Sequence, residues 1–441
     1  MPPTSQLRPR PESVSNILVN LCAVVLFFIS LTLLMKYGGQ IDLMTLTVIT
    51  LGVTALPVFI YDHFFLGAHR RPAAGLSVKP AEFYPSRFFI KLAGLALTLT
   101  ILLAGYYLLF LLTGSKVLAV FLHLLRMTGP WALLPTLFYF YWVDRHQLDG
   151  HDEYWQAGCL ATGQWKKIQR PVLLEHIKIW LIKGFFTPYL FYFLMQYIKF
   201  WTALNWRQIN PLMGYNIALD FLYMVDILFG VLGYVFTCRW FDTHIRSTDP
   251  TWLGWLVCLV CYGFFNTYFG IGLLNYDDGL DWNHWAGNNP ALFHGLGLMI
   301  VVLTVIYSLA TVAIGTRMSN LTYRGIITSG PYRFCKHPAY VTKVASWWLI
   351  SLPFLSLQGP AAALKHTAAL FFISFIYYLR AVTEENHLSN YPEYVDYAQW
   401  INDHGILSPV TKLFPVLQYS PEKNKRWGSV LRSTDNPLNE D

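Results

Sequence analysis

Gly330-Pro331-Tyr332-Arg333-Phe334-Cys335-Lys336-His337-Pro338-Ala339-Tyr340 is followed by a membrane-length apolar stretch and then by Arg380-Ala381-Val382-Thr383-Glu384-Glu385. A basic, aromatic, proline-containing segment and a pair of acids therefore bracket one helical hairpin, and a hairpin returns its two ends to one membrane face. Charged groups so near hydrocarbon are expensive unless they are paired or used, so this cluster is the candidate functional site. Gly330-Pro331 interrupts a helix. Pro338 suits the first turn of the next one, where a missing N–H costs nothing. Lys336 and His337 then stand at the positive end of that helix, a setting for a carboxylate or phosphate. Glu384 and Glu385 bring the opposite charge, so a ligand with both a carboxylate and an ammonium matches the arrangement.

The surrounding chain has the composition of a membrane protein. Of 441 residues, 54% are hydrophobic, 17% aromatic and 13% charged, against about 25% charged in soluble domains. The expectation is an all-α, polytopic transmembrane bundle of about ten spans, near 17–35, 43–60, 88–112, 131–143, 179–201, 215–238, 252–274, 291–315, 339–357 and 362–378. The fourth is short, and 117–125 reads either as its first half or as a surface helix. A first apolar run with no cleavage site after it reads as a signal anchor. The net charge of +7 does not call for nucleic acid. Basic residues crowd alternate loops, around Arg70 and Arg71, Arg145 and Lys166, Arg239 and Arg246, Arg317 and Lys336, and Lys423 and Arg426, while Asp277, Asp278 and Asp281 stand in a loop without Lys or Arg. The positive-inside rule then places both termini and the His337 cluster in the cytoplasm.

Other features carry less. Six cysteines lie mostly in or beside spans and imply no disulfide framework; Cys258 and Cys261 form a C-x-x-C inside an apolar helix with no second pair. Asp220 and Asp226 fall inside the sixth span, either bonded to a neighbouring helix or lining a polar cavity. Residues 384–401 read as an amphipathic helix with Leu388, Tyr391, Tyr394 and Tyr397 three apart, lying on the bilayer or closing over a site. No metal site is expected: the nearest histidine pairs, His63 with His69 and His146 with His151, lack the spacing a di-iron oxygenase needs.

Gly330, Tyr332, Lys336, His337, Pro338 and Tyr340, followed by Arg380, Glu384, Glu385, Leu388, Tyr391, Pro392, Tyr394 and Tyr397, form a pattern that resembles the isoprenylcysteine carboxyl methyltransferase family of integral membrane enzymes. Related phospholipid and small-thiol methyltransferases share it. The resemblance covers about a quarter of the chain and implies S-adenosylmethionine at the cytoplasmic side, with a lipophilic acceptor entering from the bilayer between helices. It implies catalytic roles for His337, Arg380, Glu384 and Glu385, and a cofactor site built from Gly330, Tyr332, Lys336, His337, Pro338, Tyr340, Glu384 and Glu385. Lys336 and His337 are expected to hold the methionine carboxylate, and Glu384 or Glu385 the amino group or ribose. Lys336 stands where the family usually has Arg, and Thr342-Lys343 replaces a Gly.

On this reading 1–245 is an N-terminal transmembrane unit, 246–402 the methyltransferase-like core and 403–441 a disordered cytoplasmic tail. The host membrane is a bacterial inner membrane or the endoplasmic reticulum. An NADPH-dependent sterol-type reductase of related C-terminal fold is the strongest rival, and a transporter is another.

Overall fold

The computed structural model describes residues 9–262, 276, 279–415 and 418–421. Within them the chain forms α1 (Ile17–Tyr37), α2 (Leu43–Ile60), α3 (Pro85–Thr113), α4 (Lys116–His146), α5 (Glu153–Ala161), α6 (Arg170–Ala203) and α7 (Pro211–Val235). There follow α8 (Trp252–Leu259), α9 (Trp282–Ala286), α10 (Pro290–Ile314), α11 (Pro338–Ser351), α12 (Pro360–Leu388), α13 (Pro392–His404) and α14 (Ser408–Leu413). A two-residue antiparallel pairing of Ser247–Thr248 with Thr322–Tyr323 ties two loops together.

Among the described residues, eight helices are long and apolar enough to cross a membrane: α1, α2 with its π-helical extension to Phe65, α3, α4, α6, α7, α10 and α12. Ten were expected, and two of those, 252–274 and 339–357, are not among the eight. Residues 117–125 are the first half of α4, which runs through Pro130 and Pro135 without a break. The apolar run 339–357 is not one helix. α11 has 14 residues, about 21 Å of rise, short of the roughly 30 Å hydrocarbon layer. It stops because Pro353 disfavours the helical conformation at Leu352, which turns left-handed at φ 41°. The expected seventh span begins as α8 and passes out of the described residues after Tyr262.

The core joins the two units separated at 245 in the sequence reading. Phe27 and Leu31 of α1, Ala55 of α2, Leu194 and Ile198 of α6 and Leu228 and Phe229 of α7 pack with Val312 of α10 in one buried cluster. Basic loops from alternate connections meet at one end of this bundle, as the charge alternation requires. Arg317 pairs with Asp62 at 3.3 Å, while Asp242 takes Arg246 at 2.9 Å and Arg71 at 3.6 Å. The same end gathers the N-terminal arm, through Val14 N–H to the Ile326 carbonyl (3.1 Å) and Thr328 Oγ1 to the Pro11 carbonyl (2.7 Å). Tyr419 lies there too, its ring 5.2 Å from the Lys336 ammonium. Residues 11–14 and Tyr419 therefore share a side with the His337 segment.

Candidate functional site

The first wall is built by the turn before α11. Gly330 opens a 3₁₀ turn over Gly330–Arg333 with φ 59°, and a Cβ there would lie 2.7 Å from Ile17 Cδ1 and 3.2 Å from Ala313 Cβ. Only glycine meets both demands. Gly330→Ala is expected to destabilise the protein by about 1–3 kcal/mol, read as a fall in the thermal unfolding midpoint in detergent. His337 caps α11 and Pro338 occupies its first turn, as the sequence implies. Arg333 is exposed and acts as a surface cation. Burial pushes the Tyr332 hydroxyl and the Cys335 thiol up, so both are neutral at physiological pH.

The second wall is the end of α12, which does not stop at residue 378. Its hydrogen-bonded backbone continues through Arg380, Glu384 and Glu385 to Leu388, so the expected helix over 384–401 is two pieces. The break falls at Tyr391 (φ −113°, ψ 121°) because Pro392 follows it. In α13, Tyr394 and Tyr397 are buried against the site rather than laid on a bilayer surface. Tyr397 Oη donates to the Tyr332 carbonyl at 2.8 Å, holding the turn before α11 in place.

The two walls meet. His337 Nε2 lies 3.0 Å from Glu385 Oε1, and Lys336 Nζ lies 2.6 Å from the same oxygen. The Lys336 ammonium, the His337 imidazole and Glu385 thus satisfy one another. Glu384 accepts from Tyr340 Oη at 2.9 Å. Arg380 does not form the helical pair with Glu384 that its spacing allows. Its Nη2 donates to Asn320 Oδ1 at 3.0 Å, and its guanidinium carbon sits 5.1 Å from the Tyr340 ring centroid and 5.2 Å from that of Tyr377.

Two cavities adjoin at this junction. One, about 170 Å³, is polar and includes Asp226, Asn320, Lys343, Arg380 and Glu384 in its lining. The other, about 750 Å³, is mainly apolar and runs along Val341, Val344 and Ala345 of α11 and Phe375, Tyr378 and Val382 of α12 to the α14 segment. Lys336, His337, Tyr340 and Tyr377 line both. The larger volume falls within the range of about 300–1,000 Å³ usual for ligand clefts, and the smaller suits a headgroup.

Of the residues expected from the sequence, Tyr332, Lys336, His337, Tyr340, Arg380 and Glu384 border the polar cavity, and Glu385 borders the apolar one. Gly330 and Pro338 line neither and shape the backbone instead. Asp226 satisfies both readings offered for it: it accepts hydrogen bonds from Tyr307 and from Thr311 Oγ1 and also lines the polar cavity. Asn320, Tyr307 and Tyr377 were not among the expected site residues. No sequence signal marks a loop asparagine or a tyrosine in an apolar helix. Lys343, met as a departure from the family pattern, did carry one: it is an ionisable residue inside an apolar helix. The expected tail contributes as well, since Ser408, Val410 and Thr411 of α14 line the apolar cavity. The stretch after Pro421 whose composition reads as disordered lies outside the described residues.

Residues 295–390 match the model of the isoprenylcysteine carboxyl methyltransferase family. That stretch carries a domain of this membrane methyltransferase family, and it contains the turn before α11, the whole of α11 and the acidic end of α12. No curated protein and no solved structure matches the chain.

Proposed function

We propose that this chain is an integral membrane methyltransferase that moves a methyl group from S-adenosylmethionine to a lipid-like or prenylated acceptor at the cytoplasmic membrane face. One observation carries the reading: a polar, charged cavity and an apolar one share the walls formed by Lys336, His337, Tyr340 and Tyr377, inside the matched segment. A hydrophilic donor and a lipophilic acceptor need two such compartments side by side.

The polar residues suit the donor's amino-acid end. Glu384 accepts one hydroxyl through Oε2, which leaves its other oxygen for an ammonium. S-adenosylmethionine, when bound, supplies a methyl group on a positively charged sulfur. Tyr340 and Tyr377 offer ring faces to such a cation, and Arg380 acts as a positioning residue that fixes both rings. Lys336 and His337 are engaged by Glu385, so their role is to hold the partition between the compartments rather than to bind the donor's carboxylate. The protein's contribution is then placement, with reacting atoms near 3–3.5 Å, and exclusion of water from a reaction in which opposite charges cancel.

The purified protein is expected to retain labelled S-adenosylmethionine and to transfer its methyl label to a lipid extract. Retention of NADPH instead, with no label transferred, would replace this reading by the reductase one.

A further inference from the structure

The polar cavity contains a cation that neither the motif pair nor its acids employ. Lys343 Nζ, on α11, donates to Tyr307 Oη at 3.1 Å. It lies 4.7 Å from the Tyr307 ring centroid and 5.5 Å from that of Trp347. Tyr307 Oη in turn donates a hydrogen bond to Asp226 Oδ2, and Thr311 Oγ1 donates to Oδ1 at 2.6 Å. The carboxylate of Asp226 thus accepts from two hydroxyls, and Tyr307 stands between it and Lys343. Among the described residues no carboxylate stands within ion-pair distance of Lys343, and an ammonium has three donors of which this one spends a single one. Six residues separate His337 from Lys343 along one helix, about 9 Å of rise, so this cation sits deeper than the partition.

A lysine amine with donors left over, a carboxylate at one remove and a cavity before it is suited to receive an anion. We propose that Lys343, seated by Tyr307 and Asp226, binds a carboxylate at the inner end of the polar cavity. The carboxylate belongs either to the methyl donor or to an acidic lipophilic acceptor. This rests on the methyltransferase reading for the identity of the ligands. It also gives a function to Asp226, which α7 contributes from outside the matched segment.

The test compares paired ligands that differ only at the carboxylate, using the full-length protein in detergent and calorimetry. The donor arm sets S-adenosylmethionine against its decarboxylated analogue; the acceptor arm sets N-acetyl-S-farnesylcysteine against its methyl ester. In one arm the wild-type protein is expected to favour the carboxylate by about 10- to 100-fold. Lys343→Met erases that preference and Lys343→Arg keeps most of it, and the responding arm identifies the source. A wild-type protein indifferent to the carboxylate in both arms overturns the proposal without any variant having to fold. So does a preference that survives in Lys343→Met. If the wild-type protein binds neither donor compound, the methyltransferase reading fails instead, and the acceptor arm alone decides the anion site.

Discussion

Glu385→Gln is expected to abolish most methyl transfer, by about 100-fold or more, and to weaken the fold at the same time. Glu385 is the single acid that Lys336 and His337 share, at 2.6 and 3.0 Å. Each hydrogen bond to a charged group contributes about 1.5–3 kcal/mol, and glutamine removes the charge from the oxygen that both partners share. The Lys336 ammonium is then left without a counter-charge at the partition between the cavities, and it is expected to move away. Calorimetry should show S-adenosylmethionine affinity falling by at least about tenfold. Unchanged affinity and unchanged transfer in a folded Glu385→Gln protein would remove Glu385 from the working site.

Arg380→Lys is the second large effect, although it preserves charge. The guanidinium does two things at once: it donates to Asn320 at 3.0 Å and lies across the rings of Tyr340 and Tyr377. A lysine ammonium is a point donor without a flat face, so it satisfies Asn320 or the rings but not both. The transfer rate is expected to fall by about 10- to 100-fold, since misplacing reacting groups by about 1 Å is that costly. The unfolding midpoint should stay close to that of the wild-type protein. A rate within twofold of wild type would show that the rings are held by something other than Arg380.

How much of this was legible beforehand depended on whether a feature is local. The turn at Gly330-Pro331, the cap at His337 and the first-turn Pro338 follow from backbone chemistry over a few residues, and the structure has them. The meeting of His337 with Glu385 follows from hairpin geometry, and it also appears. Helix ends were harder. Hydropathy treats 339–357 as one span because Lys343 is the single charged residue in it, but the Leu352-Pro353 step ends the helix regardless of polarity. Conversely, Arg380 and the two glutamates look like the end of a span, yet α12 continues because backbone hydrogen bonding needs no apolar side chain. Partners across the bundle were invisible. That Asp226 answers to Tyr307, or Arg380 to Asn320 rather than Glu384, is settled by which helices lie side by side, and no periodicity records that.

The contact between Thr328 and Pro11 spans 317 positions of chain, and that separation sets how long the earlier segment waits for its partner during synthesis. At about 5–20 residues per second, the first-made arm waits roughly 15–60 s for its partner to emerge. Until then the leading peptide has no berth, and the loop that carries the residue-330 turn has not yet been translated. Biogenesis therefore leaves residues 11–14 unpartnered until late, and a nascent chain has no competent centre until α11 and α12 have followed.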